Sequence, residues 1–151
     1  MISFPGKKCL FMGNEYGQSG YWDYTQPLTF ITKTDEKDMS QFTQSINQLY
    51  LNTPEFYEWD YTPEGIQVMH NNYNGQVLCF MRHCSKGSIM CLFNFSDIDY
   101  YDYKIDNYNQ YSKINQIFTS KYMYDSNAQI KNNQLSFNLP AHSAFFYKVK
   151  N

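Results

Sequence analysis

A mainly β protein is predicted, with an antiparallel β-sandwich over residues 63–151, preceded over residues 1–62 by one strand, a long loop and one helix. Three observations lead there. From Ile66 onward, apolar residues recur every second position in short runs separated by turn-forming groups, the signature of half-buried strands. Between Met39 and Tyr50 they recur at steps of three and four, which lines them along one helical face. The period changes beside Thr62-Pro63-Glu64-Gly65, and that point divides the chain.

Taken in order, Lys7 to Gly13 reads Lys-Lys-Cys-Leu-Phe-Met-Gly, a continuous apolar run closed by glycine, as in a strand buried on both faces of a parallel sheet. Asn14 to Lys33 is rich in Gly, Gln, Tyr and Thr, holds Pro27, and is expected to be a long surface loop of the kind that carries function. A helix is expected from about Asp38 to Leu51, its face formed by Met39, Phe42, Ile46, Leu49 and Tyr50, with Thr34 or Asp35 as cap. Thr53-Pro54 ends it, because a residue before proline is pushed out of the helical region. Together these pieces make one β/α unit, which cannot stand alone.

Strands follow at Ile66 to Val68, Gln76 to Arg82, Ser88 to Phe95, Tyr101 to Ile105, Ile114 to Ser120, Gln134 to Leu139 and Ser143 to Val149. Turns are expected at Asn71 to Gly75, Ser85-Lys86-Gly87, Asp106-Asn107, Asp125-Ser126-Asn127 and Pro140-Ala141. Closely spaced strands of this kind argue for an antiparallel sandwich.

The length of 151 residues suits about one domain and is too short for a complete (β/α)8 barrel of roughly 250 residues. A net charge of −2, with scattered Lys and Arg, provides no electrostatic footprint for nucleic acid. Aromatic residues make up 19% of the chain, Tyr far ahead of Trp, which suits both strands and the stacking faces of a sugar site. Strand preference or compositional bias is the expected reason for most of the tyrosines. Cys9, Cys79, Cys84 and Cys91 sit inside apolar runs without CxxC spacing, so buried free thiols are expected and zinc is not. No apolar signal segment or 18-residue apolar window occurs, and the expected setting is cytoplasmic, with no membrane partner and no cofactor.

Pro5-Gly6-Lys7-Lys8-Cys9-Leu10-Phe11-Met12-Gly13-Asn14-Glu15-Tyr16-Gly17-Gln18 resembles the Pro-Gly-Lys-Lys-Leu-Leu-Phe-Met-Gly-x-Glu-Phe-Gly-Gln segment of bacterial 1,4-α-glucan (glycogen) branching enzymes, of the α-amylase superfamily. Leu49-Tyr50, Thr62-Pro63-Glu64-Gly65, Leu92-Phe93-Asn94-Phe95-Ser96 and Leu139-Pro140-Ala141-His142-Ser143-Ala144 are similar to later segments, so the likeness spans nearly the whole chain. The resemblance implies that residues 1–62 are the remnant of a catalytic (β/α)8 barrel (strand eight, long loop, helix eight) and residues 63–151 a C-terminal all-β domain. Two departures stand out. Pro27-Leu28-Thr29-Phe30 replaces a common Ser-Leu-Asp-Trp, and Val68 replaces a common Trp, so contacts made by that Asp and those Trp residues are not implied here.

Retaining transfer between α-glucosidic bonds needs two carboxyl groups at close range. In the resembled family the Asp nucleophile, the Glu acid/base and the stabilising Asp all precede the matched segments, and their Arg-x-Asp and His-Asp motifs are absent from this chain. No catalytic residue is therefore assigned. Glu15, at the end of the expected barrel strand, either shapes the sugar cleft or anchors its loop through backbone amides. Gln18 and Trp22 are candidate sugar contacts by hydrogen bonding and stacking, with packing at the barrel rim as the alternative for Trp22. Glu55, Glu58, Asp60, Asp97, Asp99, Asp102 and Asp106 are better explained as solvated turns and strand edges than as acid pairs or calcium ligands.

The function these features imply is that of the C-terminal part of a branching enzyme, a transferase that moves α-1,4-glucan segments to form α-1,6 branches, inactive without its carboxylates. The partners are an α-glucan and, as a second possibility, a separately encoded barrel portion. The alternative is a non-catalytic glucan-binding module using surface tyrosines or Trp59, and only residues 63–151 are expected to fold alone.

Overall fold

The computed structural model describes residues 1–18, 23–28, 34–121 and 123–150. Among the described residues, one helix, α1 (Thr34–Leu51), and eight strands follow in order: β1 (Ile66–Asn72), β2 (Val77–Cys84), β3 (Gly87–Asn94), β4 (Tyr100–Asp106), β5 (Lys113–Thr119), β6 (Gln129–Lys131), β7 (Gln134–Leu139) and β8 (Ser143–Lys150). Single 3-10 turns at Pro54–Phe56 and Pro63–Gly65 link α1 to β1. The strands form a five-stranded sheet in the order β1-β2-β3-β8-β5 and a three-stranded sheet in the order β4-β7-β6, and every pairing is antiparallel.

Each strand expected from Ile66 onward is present within a few residues, and β6 is an addition. It closes on β7 through Asn132 and Asn133, both at positive φ (49° and 59°), the backbone of a two-residue hairpin that matches the strand twist. A three-residue strand leaves too short a periodic run to be seen in sequence.

The two sheets face each other across one core. Cys79, Met81, Met90, Leu92, Phe145 and Tyr147 of the larger sheet meet Ile105, Leu135, Phe137 and Leu139 of the smaller. Strand β7 alternates strictly, burying every second residue, because its other face meets water. Strands β2, β3 and β8 do not alternate, because the opposite face of their sheet is covered too. There Phe80, Ile89, Cys91 and Phe146 pack on Phe56 and on Ile46, Leu49 and Tyr50 of α1. The Phe56 ring meets Phe146 edge-on at 5.2 Å, and Phe118 stacks on Phe146 at 4.8 Å. The packed unit therefore runs across the composition boundary near residue 62.

Two differences from expectation lie in the first part of the chain. Residues 7–13, expected as a buried parallel strand, belong to neither sheet, and Leu10, Phe11 and Met12 are 45%, 52% and 37% exposed. A parallel strand takes its hydrogen bonds from neighbours on both edges, and none of the described strands is parallel. Cys9, expected buried with that strand, is exposed, whereas Cys79, Cys84 and Cys91 are buried free thiols. Burial pushes the Cys79 and Cys91 thiols well above their ordinary pKa. The helix begins at Thr34, four residues early, so Asp35 lies inside its first turn rather than capping it.

One buried side chain ties the first part to the sandwich. Arg82, in the middle of β2, is fully buried and donates from Nε to the Gly65 carbonyl (2.9 Å), from Nη1 to the Ser3 carbonyl (2.9 Å), and from Nη2 to the Phe56 carbonyl (3.3 Å) and Asp60 Oδ1 (2.6 Å). Lys8 Nζ lies 3.5 Å from Asp60 Oδ2, donates to the Phe4 and Gly6 carbonyls, and sits over the Tyr50 ring. Gly65 is placed so close beneath Trp59 that a Cβ would lie 1.9 Å from the Trp59 carbonyl oxygen. This accounts for a glycine after Pro63-Glu64.

Replacing Arg82 by Met keeps volume but leaves the Asp60 carboxylate without its guanidinium partner. Arg82→Met is expected to lower unfolding free energy by about 3–5 kcal/mol, read from urea denaturation. The double variant Arg82→Met/Asp60→Leu should recover part of that loss, since the carboxylate left with the more distant Lys8 (3.5 Å) in place of the guanidinium is then gone too.

Candidate functional site

Of the residues singled out in sequence, Glu15 and Gln18 lie in a tight turn built on Gly13. The Gly13 carbonyl accepts from the Tyr16 amide (3.2 Å) and the Gln18 amide (3.1 Å). Gly13 has φ of 89°, and a Cβ there would lie 2.7 Å from Gln18 Oε1, so glycine is required on both counts. The buried Tyr16 donates its hydroxyl to Gln18 Oε1 at 3.1 Å. That bond engages the Gln18 amide oxygen within its own turn. Glu15 is half-buried on the same turn, and Met39 of α1 packs beneath Gly17. Trp22 lies outside the described residues.

The acidic side chains are engaged locally. Hydrogen bonding from Ser85, by its side chain first and then by its amide (3.0 Å), holds the Glu58 carboxyl below the usual range. Asp97 pairs with exposed His142 at 2.7 Å, Asp99 accepts from the Ala141 amide, Asp102 from the Ser136 hydroxyl, and Asp106 from Tyr108 and Gln134. These bonds brace turns and strand edges. Glu55 is different: it is 5% exposed, and its Oε2 has no hydrogen-bond partner. Among the described residues no group of three or more His, Cys, Asp or Glu side chains could hold a metal ion.

The two C-terminal motifs noted in sequence meet in space. Asn94, 1% exposed, donates from Nδ2 to the carbonyls of Ile98 (2.8 Å), Leu139 (3.1 Å) and Pro140 (2.9 Å), while its Oδ1 accepts from the Ser96 amide and hydroxyl. The Asn-Phe-Ser corner after β3 is thereby stapled to the Leu-Pro-Ala turn before β8. An amide suits this geometry, since one short side chain then supplies both N–H donors and a carbonyl acceptor.

Sequence reasoning did not single out an open groove of about 490 Å³ beside this corner. It is lined by Asn71, Asn72, Tyr73, Asn74, Gln76 and Phe95, with Val77 and Leu78 as floor. Tyr73 and Phe95 are 87% and 57% exposed. Asn72 braces the hairpin by accepting from the Gly75 amide (2.9 Å) and donating to Tyr103 Oη (3.0 Å), which also lies 2.8 Å from His70 Nε2. The Asn-Asn-Tyr-Asn-Gly string signals a turn, but nothing local says that Phe95 returns beside it. Trp59, the other aromatic considered for stacking, is half-buried over Gly65.

Burial holds the His70 pKa below the ordinary imidazole value, with Asp106 opposing. The unfolded chain therefore takes up the proton more readily than the folded one. The stabilising contribution is complete above about pH 6.5 and is lost as pH falls below it. His83 is shifted the same way, by burial and by Arg82. The urea midpoint should fall between pH 7.5 and 5.5, and His70→Gln should flatten that fall in part.

The family described as "Alpha amylase, C-terminal all-beta domain" matches residues 68–150. Over 107 residues, 67% of its length, the chain is 36% identical to a 1,4-alpha-glucan branching enzyme of Mycobacterium ulcerans (strain Agy99), and 30% identical over 110 residues to that of Aquifex aeolicus (strain VF5). The match spans 14% and 18% of those two proteins. A solved α-amylase from H.orenii superposes with a TM-score of 0.72 at 15% identity, covering 99% of this chain and 33% of that one. At that identity the likeness concerns the fold.

Proposed function

Starting from a chain that belongs to the family of α-amylase C-terminal all-β domains, we propose that it is the C-terminal portion of a 1,4-α-glucan branching enzyme, working in the cytoplasm on a glycogen-like α-glucan. The observation that carries this reading is the 36% identity to a branching enzyme over two thirds of the chain. The barrel motif at Pro5 to Gln18 lies in the same chain as the sandwich. Residues 1–62 are the closing strand, loop and helix of a catalytic barrel, and residues 63–151 the domain that follows it. The chain contributes no catalytic carboxylate. Glu15, Gln18 and Trp22 border the sugar cleft of the assembled enzyme, with Tyr16 and Gly13 setting the shape of the turn that carries the first two.

A second reading is favoured by one feature, the exposure of Leu10 and Met12. An apolar segment with the sequence of an inner barrel strand, left outside both sheets, is what a separately encoded barrel portion would pair with. In either case the chain is one part of the catalytic unit, not the whole of it.

The purified chain should not alter the iodine-stained absorbance of amylose, because transfer with retention requires carboxylates that the rest of the enzyme supplies. Co-expression with the preceding portion of a branching enzyme of this family should restore the spectral change. Branching by the isolated chain would overturn the reading.

A further inference from the structure

Outside the turn at Gly13 the molecule carries another place shaped for sugar. The groove between the β1–β2 hairpin and the Asn94-Phe95-Ser96 corner combines two exposed rings with amide side chains and contains no charged side chain. One groove beneath α1 holds both Asp38 and Lys121, the one beside β5 holds Asp125, and a second groove beneath α1, also without charged side chains, is lined mainly by apolar side chains such as Met39, Phe42 and Phe118. A neutral lining selects against anionic and cationic ligands, since an ion would leave water without a counter-charge. Amides supply paired donors and acceptors at the spacing of vicinal hydroxyls, and aromatic faces match the C–H face of a pyranose.

The groove is preorganised. Phe95 stacks on Phe93 with centroids 5.6 Å apart and planes 3° from parallel, and Phe93 stacks in turn on Phe80 in the core. The Phe95 amide donates to the Gln76 carbonyl at 2.9 Å, which joins the corner to the hairpin. Asn72 fixes the hairpin through Gly75 and Tyr103, and Gln76 is held at φ of 52°. The Tyr100 hydroxyl donates to the Gly75 carbonyl from the other sheet. The hairpin wall is thus tied to the smaller sheet and the Phe95 wall to the aromatic layer beneath α1, which lowers the ordering cost of binding. The protein gains nothing in packing from exposing Tyr73 at 87% on a hairpin tip.

We propose that this groove binds a segment of neutral α-glucan, with Tyr73 and Phe95 as stacking faces and Asn71, Asn74 and Gln76 as hydroxyl contacts. The choice of α-glucan among neutral sugars rests on the branching-enzyme reading; the groove's preference for a neutral, hydroxyl-rich ligand rests on its lining alone. The site tethers polymer on the sandwich, apart from the turn carrying Glu15 and Gln18.

Affinity electrophoresis of the whole chain tests this, with glycogen in one gel, hydroxyethyl cellulose in a second and no polymer in a third. Glycogen should retard the wild type. Tyr73→Ala/Phe95→Ala should weaken the apparent affinity by about tenfold or more, as expected for truncated aromatic anchors. The ring-keeping pair Tyr73→Phe/Phe95→Tyr should retain it, and Tyr101→Ala/Tyr108→Ala, exposed tyrosines elsewhere, should leave it unchanged. Equal urea midpoints for all variants would show that folding is not the cause. Absence of wild-type retardation, retention of full affinity by the alanine pair, or equal retardation by hydroxyethyl cellulose would each overturn the proposal. The co-expression assay reads the branching reaction itself, so restored branching without retardation would refute the groove alone.

Discussion

The Arg82 guanidinium is a positive charge in the middle of an otherwise apolar strand, and its burial dictates much of what surrounds it. Removing such a group from water costs several kcal/mol unless its donors are matched. Here Nε, Nη1 and Nη2 are all engaged: three backbone carbonyls and one carboxylate converge on them from Ser3, Phe56, Asp60 and Gly65. These partners lie 17 to 79 residues away in sequence. The segment before β1 must therefore return to β2 at several separate points. The Pro54–Phe56 turn, the Pro63–Gly65 turn and the start of the chain are held in one arrangement by a single side chain.

That arrangement gives the larger sheet two buried faces. One meets the smaller sheet, as in any β-sandwich. The other would present Phe80, Cys91 and Phe146 to water were it not for Phe56 and the inner face of α1. The double burial explains why β2 reads Val-Leu-Cys-Phe-Met-Arg-His-Cys while β7 alternates cleanly. Helix α1 therefore acts as the lid of the sandwich. Covering apolar sheet with a helix also removes an aggregation-prone surface.

Of the two site regions, one is formed by local bonds and the other by long-range ones. Gly13 makes a turn whose amide and hydroxyl groups bond to one another, so Gln18 is oriented by Tyr16. Asn94 brings two corners together that are 45 residues apart, and in doing so sets Phe95 beside the β1–β2 hairpin. The Phe95 ring is held by its stacking on Phe93, and the hairpin backbone by Asn72 and Tyr100 through Gly75. Rigid support under exposed aromatic and amide groups is what separates a binding groove from ordinary surface texture.

Periodicity and turn chemistry alone determined the strand order along the chain, the α1 helix and its end at Thr53-Pro54, and the mainly β class, because each depends on residues close together in sequence. Motif resemblance likewise pointed to the family that residues 68–150 match. Tertiary structure decided the rest. Lys7 to Gly13 has the composition of an inner strand, yet strand formation needs neighbours to accept and donate its hydrogen bonds, and the described sheets offer none. Arg82 looked like a charged residue at the end of a strand, and only the return of Asp60 and three carbonyls made its burial possible. The groove at Tyr73 and Phe95 is likewise invisible locally, since its walls come from segments about 20 residues apart that the β-ladder brings side by side.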